Sequence, residues 1–439
     1  MCSSREGELT PSTHCETIII GAGIAGLACA RSLFEAQRPF LVIAENVGGR
    51  IRRSDDGAVN LGAYYVRADY THVNRYVELG RRFGTMAVRR HDAEDSYTFW
   101  DRRLVLHGLQ AARFVKLLLR FRRHYRIVSR RVLTVGQAAA IRSDPLLYSL
   151  YRQPALEFIL EHRLEHVARS YVAPAIHGTT FSSLADISAF TMLLGALPLL
   201  EPTYEFTFQL DRILDGFADS IVVDSVIGIE VHGSGYLAET VRSGTFSGEH
   251  IVVATPSGVA ARLLGLPSIK QPVISHMWEV AGVLRSRYAR ADMHLFPEAD
   301  PILAITVGAD GNVLVASRDG QPDLDRIFET WRVVEHRRWY PAFHIVGTEL
   351  LECEQGPNLF LIGDHNIVGL EDAYLTGLYA ANQIAASGPV CSFTPNHRRR
   401  GRSALAVLSC GLLRSIQGPV DVWPGPMKPH GGDACDPLL

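Results

Sequence analysis

The apolar positions of this chain change period as it is read, and the changes mark its elements. Thr17-Ile18-Ile19-Ile20 is a short unbroken apolar run of buried-strand type that feeds directly into Gly21. Ile24 to Ala36 is rich in Ala and Leu and predicts a helix, and Phe40-Leu41-Val42-Ile43 predicts a second buried strand. Strand, glycine turn, helix and strand together make one βαβ unit. From about residue 75 to 200 the pattern becomes helical. Strand signals return at 220–223, 225–229 and 250–256, and a last buried strand is expected within Asn358–Asp364, followed by a closing helix over Asp372–Ala386. Residues 1–14 read as a polar, disordered leader, and 391–439, rich in Arg, Pro and Gly, as a tail.

Two helical stretches carry more than a packing signal. His107 to Arg131 sets Leu109, Phe114, Val115, Leu117 and Leu118 among Arg113, Lys116, Arg120, Arg122 and Arg123. A surface helix packing one face on the core accounts for this; a basic amphipathic helix making peripheral contact with a membrane is the sharper reading. Ile187 to Leu200 is almost wholly apolar and reads as core or as the wall of an apolar substrate pocket.

Composition narrows the classes. At 439 residues the chain suggests two domains. A net charge of -2 gives no reason to expect nucleic acid as a partner. The lysines are Lys116, Lys270 and Lys428, which leaves few candidates for a catalytic amine. Seven dispersed cysteines without Cys-x-x-Cys spacing argue against a metal site and fit a reduced, cytoplasmic protein. No stretch reaches the roughly 20 apolar residues that span a bilayer.

The chemistry begins at Gly21-Ala22-Gly23-Ile24-Ala25-Gly26, a G-x-G-x-x-G that follows a strand and opens a helix. Gly21 permits the tight turn, Gly23 the approach of backbone to a pyrophosphate, and Gly26 close helix–strand packing. The helix N-terminus offers unpaired N–H groups to phosphate. Glu45 lies where an acid for the adenosine ribose is expected. A second glycine pair with a cation follows at Gly48-Gly49-Arg50, and a further close approach of backbone is offered at Gly62-Ala63.

In order and spacing these segments resemble those of the superfamily of FAD-dependent amine oxidases, protoporphyrinogen oxidases and phytoene desaturases. The resemblance extends to Val226 beside the adenine, to Val252-Val253-Ala254-Thr255-Pro256, to Gly363-Asp364, whose acid holds the ribityl chain, and to Tyr374-Leu375-Thr376-Gly377 as the start of a helix facing the flavin. It implies an α/β fold: a Rossmann-like, discontinuous FAD-binding domain (15–75, 215–265 and 345–390) and a second α+β substrate domain (76–214, mostly helical, and 266–344). It implies non-covalent FAD, with Leu375 and Thr376 among its contacts, and a small-molecule substrate.

The chain departs from the family on the catalytic side. Val280 to Arg285 has no lysine where many amine oxidases carry one, and no paired aromatic cage is visible; Trp331, Trp339 and Tyr340 read as core. The acid before Leu-Gly-Ala is replaced by Asn60. His365 and Arg285 are the candidates for catalytic groups, His365 because its ordinary pKa lies near neutrality. The expected function is oxidation or desaturation of a hydrophobic organic substrate by hydride transfer to flavin N5. The rivals are a redox-neutral flavin isomerase or mutase and a non-catalytic flavin-binding protein.

Overall fold

A computed structural model describes residues 13–84, 86–92, 95–267, 271–308 and 311–387. The expected tail, 391–439, lies outside them. The leader also lies outside, except for Thr13 and His14. These two are strand, not leader: β1 (Thr13–Ala22) begins there, with Thr13 opposite Phe246 and His14 opposite Ser247. Backbone pairing needs no apolar side chain, so a polar stretch joined the sheet unannounced.

The isoleucines of β1 are fully or almost fully buried because parallel neighbours flank it on both edges. α1 (Ile24–Glu35) leads from it to β2 (Phe40–Val47), the parallel partner on one side. The parallel core runs from residues 359–361 through 245–253, β1 and β2 to 221–223. An antiparallel hairpin, 226–232 with 235–240, is added to the 245–253 strand. This is a Rossmann-like sheet drawn from three separated parts of the chain.

The region expected to be mostly helical, 76–214, opens as strand and returns to strand before a short last helix, Leu210–Leu214. Val77–Phe83 and Thr203–Phe208 pair with each other, and Val66–Arg67 completes that three-stranded sheet. Val88–His91 and Ser96–Tyr97 join a seven-stranded second sheet, where Val88–His91 lies parallel to Met293–Leu295. Val-Arg-Arg-His carries no apolar alternation, so its partner, Met293–Leu295, more than two hundred residues away, decides its conformation. Between these strands the helices appear as expected, led by α2 (Gly108–Val135), which buries Phe114, Leu118, Phe121, Tyr125, Val128 and Val132 on one face. α3 (Ala173–Thr180) and α4 (Ala189–Gly195) follow. The second sheet is dominated by β3 (Gln271–Leu284) against β4 (Phe328–Val346).

The last helix, α5 (Leu370–Ala386), crosses α1 at a glycine. A Cβ on Gly377 would lie 2.2 Å from the Ala25 carbonyl oxygen, so the two helices meet backbone to backbone. Among the described residues no helix is long and apolar enough to cross a membrane.

Candidate functional site

A cavity of about 510 Å³ opens where the parallel strands end, the position at which such sheets bind ligands. It reaches from the first glycine turn to the second sheet. Gly21, Gly23, Ile24, Ala25, Glu45, Gly48, Gly49, Arg50, Gly62, Ala63, Val226 and Asp364, all singled out from the sequence, line it.

The glycines divide by the reason each is required. Gly21 has φ +109°, and a Cβ there would lie 2.7 Å from the Ala254 carbonyl oxygen. Gly26 faces inward: a Cβ would lie 2.0 Å from the Gly21 carbonyl oxygen, so it serves packing and does not touch the cavity. Gly62 is also a close approach, 1.9 Å from the Arg50 carbonyl oxygen to a built Cβ. Gly23 differs, since a Cβ there would meet nothing within 4 Å. Its free space is cavity, as a backbone cradle for a ligand requires.

Arg50 and Asp364 face each other. The guanidinium donates from Nη1 to Asp364 Oδ2 at 2.7 Å and from Nη2 to Oδ1 at 2.6 Å, and Nη1 also donates to the Ala342 carbonyl at 2.6 Å. Burial pushes the Asp364 carboxyl up, but the charge and hydrogen bonds of Arg50 outweigh it and hold the group below the usual carboxylate range. The pair ties the second glycine pair to the end of the 359–361 strand and to β4.

Glu45, at the end of β2, accepts from Ser225 Oγ at 2.9 Å beside Val226. Asp224, which the sequence reading missed, anchors that corner. It accepts from the backbone N–H groups of Ser225 (2.8 Å), Arg242 (3.0 Å) and Ser243 (2.7 Å). Its carboxyl is pulled well down by hydrogen bonding to Ser243 and by these amides, against burial.

α5 begins earlier than the motif suggested. Its N-cap is Gly369, and Gly369, Leu370 and Ala373 reach the cavity. Leu375 and Thr376 do not line it: Leu375 is in the helical core, and Thr376 Oγ1 accepts from Gly363 N–H at 2.8 Å and donates to the Ala373 carbonyl. Glu371 and Asp372 are good first-turn residues, which moves the helix start upstream of Tyr374.

His365 and Arg285 are not brought to the cavity lining either. The buried His365 ring has Nε2 3.1 Å from the Ile362 carbonyl oxygen. Arg285 is exposed just past β3 and donates to the Asp325 carbonyl at 2.8 Å. β3 presents Met277 to the cavity, and among the described residues no lysine lines it.

The β4 part of the far wall was not legible in the sequence. Trp339, Tyr340 and Phe343 of β4 line it, so Trp339 and Tyr340 are not ordinary core. Trp339 Nε1 donates to the Leu61 carbonyl at 2.5 Å. Trp331 is a surface residue, 37% exposed, donating to Asp325 at 2.8 Å. Thr179, Phe181, Leu194 and Pro198 add a helical wall, which makes part of Ile187–Leu200 pocket lining while Phe190, Met192, Leu193 and Leu197 remain core. Tyr64, Tyr65, Arg67 and Tyr70 complete it, and the first two had a signal, since they directly follow Gly62-Ala63.

The described model of an NAD(P)-binding Rossmann-like domain matches residues 19–78. No curated protein matches the chain in sequence. Among solved structures, a double mutant of putrescine oxidase with redesigned cofactor binding superposes with a TM-score of 0.63 at 14% identity, covering 86% of this chain and 100% of that one. Cyclohexylamine oxidase from Brevibacterium oxydans IH-35A gives 0.60 at 16%, covering 86% and 98%. A protein assigned as a protoporphyrinogen oxidase from Exiguobacterium sp. 255-15 gives 0.58 at 13%, covering 86% and 100%. The chain shares the fold of these proteins, a Rossmann-like sheet joined to a second sheet domain.

Proposed function

We propose that the chain is an FAD-dependent oxidoreductase acting on an apolar organic substrate. One observation carries the reading: a single cavity joins the glycine cradle of the parallel sheet to an aromatic and aliphatic wall on the second sheet. The residues present fit FAD. Gly23 leaves room where a pyrophosphate would approach backbone. Thr255 Oγ1, on the lining, is buried and has no partner within the protein. A second glycine pair, Gly48-Gly49, and the Arg50–Asp364 pair extend the polar lining beyond what a lone G-x-G-x-x-G supplies, which favours FAD over a nicotinamide nucleotide.

On this reading Gly21, Gly23, Gly49 and the α1 N-terminus hold the pyrophosphate, Glu45 and Val226 face the adenosine, and Asp364 faces the ribityl chain. FAD supplies the hydride acceptor. The chain's own residues bind, orient and exclude water: Met277, Phe343 and Leu194 present apolar surface to a substrate, and Trp339 is fixed by Leu61. Residues 15–75, 215–265 and 345–390 form the cofactor domain; 76–214 and 266–344 form the substrate domain. The oxidases of the same fold support oxidation over isomerisation.

A peripheral membrane contact follows from the outer face of α2. Leu109 is 87% exposed, and Val105 and Leu106 stand out just before the helix. Lys116, Arg120 and Arg123 are exposed on the same helix, and residues 102–135 contain no Asp or Glu. An anionic bilayer surface suits that combination.

The deciding experiment is the absorbance spectrum of the purified protein and identification of any chromophore released on denaturation. Flavin bands with FAD released support the reading; anaerobic bleaching by lipophilic amines or polyenes then identifies substrates. A colourless protein that FAD cannot reconstitute overturns it. Activity only after added reductant, with none consumed, would establish the isomerase instead.

A further inference from the structure

The two acids in the first turn of α5 are held in opposite ways. Glu371 is saturated: its carboxylate accepts from the backbone N–H groups of Thr71 (3.0 Å), His72 (3.0 Å) and Val73 (2.9 Å), from Thr71 Oγ1 (2.9 Å) and lies 2.7 Å from His72 Nδ1. It caps the neighbouring turn and stays ionised, its carboxyl held low by these bonds against burial.

Asp372 has far less support. It is 3% exposed, and the hydroxyl of Tyr125, from α2, donates to Oδ1 at 2.5 Å. The nearest cation, Arg67, is already committed: its Nε donates to Asp69 at 2.9 Å, and its guanidinium lies over the rings of Tyr70 (5.0 Å) and Tyr125 (6.0 Å). The other Asp372 oxygen lies directly behind the cavity wall. A Cβ on Gly369 (φ +154°) would lie 2.8 Å from Oδ2 and 3.7 Å from the Tyr70 hydroxyl. Gly369, Arg67 and Tyr70 all line the cavity, so only a glycine separates this carboxyl from the ligand space.

The unpaired N–H groups at the start of α5 stabilise negative charge nearby. Two negative charges, one in the cavity and one on Asp372, would compete for that helix end with no further cation between them.

We propose that Asp372 couples proton uptake to cofactor reduction: as substrate delivers a hydride into the cavity, the Asp372 carboxylate takes one proton from solvent. The substrate loses two electrons and a hydrogen nucleus, the cofactor gains them, and the additional proton forms the Asp372 O–H bond. Charge at the α5 N-terminus is thereby kept constant. Asp372 touches neither substrate nor cofactor and is a positioning residue. The inference rests on the flavin reading above. The surroundings support it, since burial pushes the Asp372 carboxyl up to about 7, with Glu371 and Asp69 adding to the rise and Tyr125 and Arg67 opposing it.

The test is the pH dependence of the midpoint potential of the bound flavin, titrated spectroelectrochemically from pH 5 to 9 in the holoprotein. The wild-type slope is expected to steepen by one proton per two electrons above about pH 7, where Asp372 is ionised before reduction. Asp372→Asn should lose that break at every pH. Tyr125→Phe, which removes the hydroxyl that favours the carboxylate, should move the break to higher pH. A break retained in Asp372→Asn, or slopes that coincide in all three proteins, overturns the proposal while leaving the flavin reading intact. If Asp372→Asn does not fold, an unmoved break in Tyr125→Phe overturns it alone. A colourless protein overturns the flavin reading and this inference together.

Discussion

The two ends of the cavity are built by different rules. The parallel-sheet end is backbone: Gly21, Gly23, Gly48, Gly49 and Gly62 shape it within about forty residues of chain, and side chains are mostly excluded from the close approaches. The second-sheet end is side chain: Phe181, Leu194, Met277, Trp339 and Phe343 come from α3's end, α4, β3 and β4. Where that backbone packs on itself it tolerates almost no substitution, because a methyl added at Gly21 or Gly62 strikes a carbonyl. A surface made of side chains tolerates exchange of its apolar residues with modest cost, so it is where specificity can drift while the cofactor site stays put.

The largest effect expected is at Gly26. Gly26→Ala places a methyl 2.0 Å from the Gly21 carbonyl oxygen, and should destabilise the fold by about 3 kcal/mol or more and abolish flavin retention. Thermal melts with and without FAD measure both. A variant that melts like wild type and is yellow would mean the α1–β1 contact is not rigid.

Asp372 comes next. Its pKa is raised in the folded protein to about 7, so between about pH 4 and 7 the native state binds more protons than the unfolded one. Stability must then fall as pH rises through that window, by on the order of 4 kcal/mol. Denaturant titrations across it should show this decline in wild type and a flatter profile in Asp372→Asn. Equal slopes would show the carboxyl to be ionised throughout.

Gly23→Ala separates the two kinds of glycine. Nothing lies within 4 Å of its built Cβ, so the apoprotein should keep its stability within about 0.5 kcal/mol. FAD affinity should drop roughly tenfold, about 1.4 kcal/mol. Calorimetry with apoprotein decides it, and unchanged affinity would move the pyrophosphate elsewhere. On the other wall, Phe343→Ala should keep FAD within about twofold and weaken an apolar ligand about tenfold, since a buried side chain is worth ~1.5–3 kcal/mol. Smallest of all, Arg285→Ala should leave flavin retention and ligand binding unchanged within about twofold, because Arg285 stands on the surface past β3.

Much of the first wall was readable in advance because its signals are local. A glycine that must meet a phosphate or pass a strand is constrained by its immediate neighbours, so Gly21 to Gly26 and Gly48 to Arg50 announce themselves. His365 misled because adjacency to Gly363-Asp364 says nothing of side-chain direction; its ring turns back to the Ile362 carbonyl. Leu375 and Thr376 misled by one helical turn, because Glu371 and Asp372 draw the start of α5 upstream to Gly369.

The sequence by itself determined the βαβ opening, the glycines that make a backbone cradle, the amphipathic face of α2 and the closing helix. Each depends on periodicity or on conformations that only a few residue types adopt. Tertiary structure alone decided that Val88–His91 is a strand, that Arg50 meets Asp364, that Trp339 faces a cavity and that Asp372 is buried behind Gly369 with one hydroxyl donor. Those outcomes rest on partners tens to hundreds of residues away, and burial and ion pairing are properties of the assembled surroundings, which no local stretch of chain contains.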